Sequence, residues 1–159
     1  MRNIEIFKAV SALAMADLYA SFPLTKNLKS GELAIRLNDD LWDKSLVPDE
    51  RQPRVSNYVR EHSPAAISAP TIRWLASAGL IEYKSEREGT FTGVVLTAKG
   101  LESIEAKAGR GKKLLKLAQS VLVDASKDAA KKELVDVFSE ILKWSIYAGP
   151  SLVQAISRA

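Results

Sequence analysis

Cysteine is absent from this chain of 159 residues, and histidine occurs once, at His62. Without cysteine there is no disulfide framework, no thiolate metal site and no cysteine nucleophile. A lone histidine without a Gly-x-Ser-x-Gly turn offers no pairing of nucleophile and base, so we expect no catalytic residues and no enzyme activity. The absence of disulfides also fits a cytoplasmic protein.

Cation and phosphate motifs are missing as well. The acidic residues Asp39, Asp40, Asp43, Asp49 and Glu50 are close together in sequence, but they lack the spacing of an EF-hand loop. Hard cations usually need six or more oxygen ligands, so we interpret this group as a solvated acidic face. The stretch 109–113, Gly-Arg-Gly-Lys-Lys, lacks the earlier glycine and the final Ser or Thr of a P-loop. We therefore expect no metal and no cofactor.

Long apolar runs are also lacking. The longest uncharged run extends from Trp144 to Ser157, and its 14 residues fall short of the roughly 20 that a membrane-spanning helix needs. The first residues, Met-Arg-Asn-Ile-Glu-Ile, carry an acid early and have no apolar signal-peptide core. These features predict a cytoplasmic protein with no membrane span.

Positive charge is unevenly distributed along the chain. The formal net charge is +4, and the pI is about 9.3. Residues 1–108 hold 14 basic and 14 acidic residues, whereas residues 109–159 hold 9 basic and 5 acidic residues. The C-terminal third therefore carries the whole excess, and phosphate attraction by the first 108 residues alone is weak.

Apolar residues at helical spacing predict two N-terminal helices. The first covers residues 3–21, carries Ile4, Phe7, Val10, Ala14 and Leu18 on one face, and ends near Phe22-Pro23 because proline restricts the residue before it. The second covers about residues 31–43, with Ser30 as N-cap and with Leu33, Leu37 and Leu41 on one face.

Residues 68–100 predict a helix, a strand, a turn, a second strand and the start of another helix. Ile72, Leu75 and Ala76 share a face of the first helix, and Gly79 follows it as a C-cap. Strand-like alternation over 80–84 and 91–97 flanks a polar loop that ends at Gly89, which is typical of a hairpin. Thr97 then suits an N-cap.

The pattern T-I-R-W-L-A-S-A-G-L-I followed by V-V-L-T-A-K-G resembles the winged helix-turn-helix superfamily of bacterial repressors, over about residues 5–108. The resemblance implies a mostly α fold with a β-hairpin wing, in which residues 68–78 form the recognition helix and 80–97 the wing. It also implies a transcriptional regulator that binds double-stranded DNA. We expect contacts from Thr71, Arg73 and Ser77 on the helix and from Arg87 on the wing. A protein–protein interaction module that uses the same fold without DNA is the second hypothesis.

The chain departs from a compact helix-turn-helix because an insert at about 44–67 separates the two helices of the motif. Part of this insert has helical spacing, with Pro53 at its start and with Val55, Tyr58 and Val59 on one face. Two registers are therefore open for the helix that precedes the recognition helix, either 31–43 or 53–62. We favour the first.

Residues 109–159 predict a helical extension that follows a hinge at 109–111. Lys112 and Lys113 lie just after the hinge and could contact phosphates. A later helix is expected to end at Gly149-Pro150. It carries an apolar face formed by Phe138, Ile141, Leu142 and Trp144. We predict that this face docks on a second copy and forms a homodimer, with docking on the N-terminal helix as the alternative.

Overall fold

The structure, a computed structural model, describes residues 3–37, 63–123 and 128–158. The helices are α1 (Asn3–Ser21), α2 (Ser30–Leu37), α3 (Pro64–Ser77), α4 (Ala98–Glu105), α5 (Arg110–Val123) and α6 (Asp128–Arg158). The strands are β1 (Lys26–Lys29), β2 (Ile81–Glu82), β3 (Ser85–Arg87) and β4 (Thr90–Leu96). The prediction of a mostly helical chain with a small antiparallel hairpin sheet is confirmed.

Helix α1 is the central element of the fold. Every residue from Ser11 to Ala16 is buried, so the helix has no solvent-facing side in its middle. Helices α3, α5 and α6 all pack against it. A helix that is apolar all round is stable only when other elements surround it. This central position explains why apolar residues surround most of the helix predicted over 3–21.

The sheet is antiparallel, in the order β1-β4-β2, with β3 also paired to β4. Phe91, Val94 and Leu96 of β4 are buried and form the sheet's contribution to the core. Helix α1 covers this part of the core, since it contacts both β1 and β4. The sequence pattern predicts core positions at Ile72, Leu75, Leu96 and one of Val94 and Val95. The first three and Val94 are buried, so this prediction is confirmed.

The hairpin turns where the sequence predicts it, at Glu88 and Gly89. Both residues have positive φ, 51° and 79°, as the two-residue hairpin turns with a right-handed twist require. The first strand is predicted over 80–84 but covers only Ile81–Glu82 (β2), and Ser85–Arg87, predicted as part of the loop, form the further strand β3. The pairs Ile81↔Leu96 and Ser85↔Thr92 belong to one register, so the break is local. It lies opposite Gly93, whose φ of 65° is incompatible with an extended strand.

Helix α3 begins four residues before the predicted position 68. Ser63 is its N-cap, since the Ser63 Oγ accepts a hydrogen bond from the Ala66 N–H at 3.2 Å, and Pro64 occupies the first turn. Proline suits this position because its missing N–H would have no intrahelical partner there. The helix also continues through Pro70, which the sequence pattern placed near its start.

Several predictions concern residues outside the described ranges. These are the part of the second helix beyond Leu37, the alternative helix at 53–62, His62, the acidic group at 39–50 and most of the insert. Helix α2 begins at Ser30, one residue before the predicted start at about 31.

The C-terminal helices depart from prediction at one point. Thr97 caps α4 as expected, with its Oγ1 accepting from the Gly100 N–H at 3.0 Å. Helix α6, however, continues past Gly149-Pro150 to Arg158, so the predicted end there is wrong. A proline inside a helix removes one backbone hydrogen bond and bends the helix, and it need not end it.

The apolar face of α6 docks within the chain. Phe138 and Ile141 are completely buried in the single protomer, and the Phe138 ring lies edge-on to Phe7 of α1 with centroids 5.7 Å apart. For Phe138 and Ile141, the structure therefore agrees with the alternative prediction that this face docks on the N-terminal helix. These two side chains are not available to a second copy. Leu142 and Trp144 are half-buried, while Ile146 is 60% exposed. Among the described residues, no helix is long and apolar enough to cross a membrane.

Candidate nucleic-acid interface

The exposed face of α3 carries Arg73, Trp74 and Ser77. Arg73 and Ser77 are four residues apart, so they follow one another along the same face of the helix. Ala69, one turn earlier, is half-buried. The stripe formed by Ala69, Arg73 and Ser77 is therefore most accessible toward the C-terminal half of the helix.

Thr71 does not belong to this exposed face. Its side chain is 2% exposed, and its hydroxyl donates a hydrogen bond to the Ile67 carbonyl oxygen at 2.7 Å. Thr71 is buried because it shares a helix face with Ser68 and Leu75, which lie three residues before it and four residues after it and are both buried. The structure therefore corrects the predicted DNA contact at Thr71, because no duplex can reach a buried hydroxyl that is already hydrogen-bonded within the helix.

Arg73 is tied to the wing by a paired contact with Glu86 of β3. The Arg73 Nε donates to Glu86 Oε2 at 2.8 Å, and Nη2 donates to Oε1 at 2.5 Å. The Arg73 side chain remains 49% exposed, whereas that of Glu86 is 19% exposed. Hydrogen bonding by Arg73 lowers the pKa of Glu86, and hydrogen bonding to Glu86 raises the pKa of Arg73. In this arrangement the cation is accessible but already has a carboxylate partner.

Arg87, the predicted wing contact, is exposed at the end of β3. Successive side chains of a strand point to opposite faces, so Arg87 points away from the face on which Glu86 meets α3. Glu88, also exposed, follows directly in the turn. At the tip of the hairpin, Arg87 therefore lies beside one anion, Glu88.

Lys112 and Lys113 are exposed in the first turn of α5, where the structure places them at the other end of α1. A Cβ added at Gly111 would overlap the Tyr19 hydroxyl, so this turn packs against the end of α1. Trp74 of α3 instead packs on Phe7, near the start of α1. The twelve residues from Phe7 to Tyr19 span about 18 Å of helix. The structure therefore does not bring the lysines together with Arg73 in one cluster.

Polar contacts hold the start of α5 in place. Arg110 donates from Nη1 to the Ser103 carbonyl oxygen at 2.8 Å and from Nη2 to Glu140 at 3.4 Å. The Tyr19 hydroxyl donates to Glu105 at 3.0 Å. Burial, followed by the contact with Glu105, raises the pKa of Tyr19. These contacts join α1, α4, α5 and α6, so the expected hinge at 109–111 is a packed corner with one left-handed residue, Gly109.

An apolar groove between α1 and α3 is a feature that the sequence pattern did not reveal. The Trp74 ring lies edge-on to Phe7 at 5.0 Å and remains 41% exposed, and Ile4 is 53% exposed. The groove beside them has a volume of about 560 Å³. Helical spacing puts Ile4 and Phe7 on one face of α1, and it puts Trp74 outside the face of α3 that carries Ile72 and Leu75. The contact between the two helices depends on tertiary packing, which this spacing does not show.

Within the described ranges, no group of three His, Asp or Glu side chains is arranged to hold a metal ion. No protein-family model matches the chain, and neither the curated proteins nor the solved structures contain a match to it.

Proposed function

We propose that this protein is a winged helix-turn-helix regulator that binds double-stranded DNA. The observation that carries the proposal is the order α1-β1-α2-α3 followed by a hairpin whose last strand, β4, pairs with β1. This order places an exposed helix beside an antiparallel wing, which is the arrangement that inserts a helix in the major groove.

The exposed part of α3 supplies the contacts with bases in this proposal. Arg73 can donate two parallel hydrogen bonds to guanine, and Ser77 can contact a base edge or a phosphate one turn later. Binding exchanges the Glu86 carboxylate for DNA as the partner of Arg73. Separating this ion pair costs free energy, and only a DNA sequence with a good acceptor for Arg73 offsets that cost. Glu86 therefore increases specificity between DNA sequences and lowers the overall affinity for DNA.

Arg87 on the wing and Lys112 and Lys113 on α5 supply sequence-independent attraction to phosphates. Because the lysines lie at the other end of α1, they reach the duplex only if it bends around the protein or if a second copy contributes them. Homodimerisation through the exposed part of α6 would provide this second set of cations. The dimer is therefore part of the proposal.

The test starts with a random pool of duplex DNA at low and moderate salt, followed by selection and sequencing of the bound molecules. We expect a preferred sequence and an affinity that falls with salt. Arg73→Ala should lose about 1–3 kcal/mol of preference for that sequence. Lys113→Ala should weaken all duplexes alike and reduce the salt slope by about one.

A protein-interaction module is the second candidate, and the Arg73–Glu86 pair is the observation that favours it. The pair makes the exposed helix nearly neutral, and a neutral helix beside an apolar groove suits a protein surface better than a phosphate backbone. Failure to bind any duplex at low salt, with the fold intact by circular dichroism, would contradict DNA binding and leave this candidate.

A further inference from the structure

The groove between α1 and α3 is formed by the first turns of one helix and the outer face of the other. Its lining includes Ile4 and Phe7 from α1 and Ala66, Pro70, Thr71 and Trp74 from α3. No charged side chain is part of this lining. A volume of about 560 Å³ lies within the range of small-molecule sites, roughly 300–1,000 Å³.

The aromatic walls of the groove are held in place from behind. Phe7 packs edge-on against Trp74 at 5.0 Å and against the buried Phe138 of α6 at 5.7 Å. Phe7 therefore cannot rotate without disturbing the core contact with Phe138. Walls that keep their orientation reduce the entropy lost when a ligand binds.

We infer that this groove binds an uncharged aromatic small molecule. An apolar lining stabilises rings by removing their surface from water, but it offers no partner to a charged group that loses its hydration. An engineered cavity of about 150 Å³ is known to hold benzene, so the present volume has room for more than one ring.

The groove by itself is too small to form a specific protein interface. Eight residues line it, whereas a specific protein interface takes about 20–30 residues on each side. Of its large side chains only Ile4 and Trp74 are strongly exposed. A second copy or a partner helix would need further apolar surface beside the groove, and the exposed neighbours Arg73 and Ala65 do not supply it.

Binding is tested with N-phenyl-1-naphthylamine, a neutral two-ring compound that carries one N–H and fluoresces strongly in apolar sites. Titration of the full chain without DNA should give saturable fluorescence with one molecule bound per chain. The sulfonated analogue 8-anilinonaphthalene-1-sulfonate has the same rings and a negative charge, and it should bind at least tenfold more weakly. Because no DNA is present, the result does not depend on the proposed regulator function.

Ala66→Phe fills the groove, since Ala66 is part of its lining, and should weaken binding of the neutral compound at least tenfold. Ala65→Phe is the matched control, because Ala65 is the preceding residue, is exposed and does not line the groove. It should bind like the native chain, and both variants should keep the native circular dichroism. Absence of saturable binding to the native chain, equal binding by Ala66→Phe, or tighter binding of the sulfonate would overturn the inference. If Ala66→Phe fails to fold, Trp74→Ala replaces it, with loss of binding as the expected result and unchanged binding as the contrary one.

Discussion

Arg73 and Glu86 join helix α3 to strand β3 through two parallel hydrogen bonds, 13 residues apart in sequence. The contact fixes the guanidinium in one plane, because both partners are planar and forked. It also gives the most exposed cation of α3 a partner before any ligand arrives. The behaviour of this face therefore depends on how easily Glu86 is displaced.

Glu86→Gln should strengthen binding to random duplex DNA several-fold at low salt, and its salt slope should steepen by about one. The substitution removes the carboxylate that competes with phosphate for Arg73. Anisotropy titrations at several salt concentrations measure both quantities. Glu82→Gln is the control, since Glu82 is also exposed on the hairpin and the charge change is identical. If both variants bind DNA equally well, the change in overall charge and not the release of Arg73 explains the stronger binding. If Glu86→Gln binds more weakly than the native chain, Glu86 positions Arg73 for DNA binding.

The Arg73–Glu86 contact should also depend on pH. Arg73 lowers the pKa of Glu86 below its ordinary value of 4.5. A carboxyl whose folded-state pKa is depressed stabilises the fold above its unfolded pKa, and this contribution disappears as the pH falls through the folded pKa. The contact is therefore intact at neutral pH and lost in acid.

Carboxyl carbon NMR tests this directly. Glu86 should titrate below its ordinary value of 4.5, and Arg73→Gln should raise the Glu86 pKa toward 4.5. An unchanged Glu86 titration in Arg73→Gln would show that another group lowers it.

Gly100 marks the closest approach of helix α4 to the sheet, and its replacement tests the packing there. A Cβ at this position would overlap the Leu80 carbonyl oxygen, which is backbone and cannot rotate away. Gly100→Ala should lower the free energy of unfolding by about 1–3 kcal/mol or more, as overpacking does. Urea denaturation measures the change.

Gly31→Ala is the matched control, because a Cβ there meets no atom within 4 Å and the residue is helical. It should be neutral or stabilising by up to about 1 kcal/mol. Equal stability of the two variants would contradict the close approach of α4 to Leu80.

Local signals in the sequence were sufficient for much of this fold. The turn at Glu88-Gly89 and the cap at Thr97 depend on residues a few positions apart, and both were predicted correctly. The buried status of Thr71 could have been predicted as well, because the predicted core residue Leu75 lies four residues later on the same helix face.

Other features could not follow from local pattern. Glu86 belongs to the predicted wing tip, but its pairing with Arg73 depends on how the hairpin twists over α3. The groove forms where α1 packs against α3, and these helices are far apart in sequence. The hydrophobic spacing within each helix does not reveal such a long-range contact. Helix α6 passes Pro150 although proline is a frequent helix end, because the signal is statistical and one missing hydrogen bond is tolerated.

Phe138 and Ile146 separate the two roles of helix α6, which are packing within the chain and association with a second copy. Phe138 is completely buried against Phe7, so Phe138→Ala should leave a cavity that costs about 3–5 kcal/mol of stability. Its melting temperature should fall while the sedimentation mass stays that of the native protein. Asp136→Ala, an exposed change on the same helix, should stay within about 0.5 kcal/mol of native.

Ile146 is 60% exposed, whereas Ile141, earlier on α6, is completely buried. A homodimer that uses α6 must bury this side chain, together with the accessible parts of Leu142 and Trp144. We therefore expect the native chain to sediment as a dimer and Ile146→Asp as a folded monomer, because a buried unpaired carboxylate costs several kcal/mol. A native monomer would contradict the predicted dimer, and so would a dimer that Ile146→Asp leaves intact at the same concentration, since the contact would then lie elsewhere. In the monomeric case Lys112 and Lys113 could not be supplied by a second copy, and the DNA contacts would reduce to α3 and the wing.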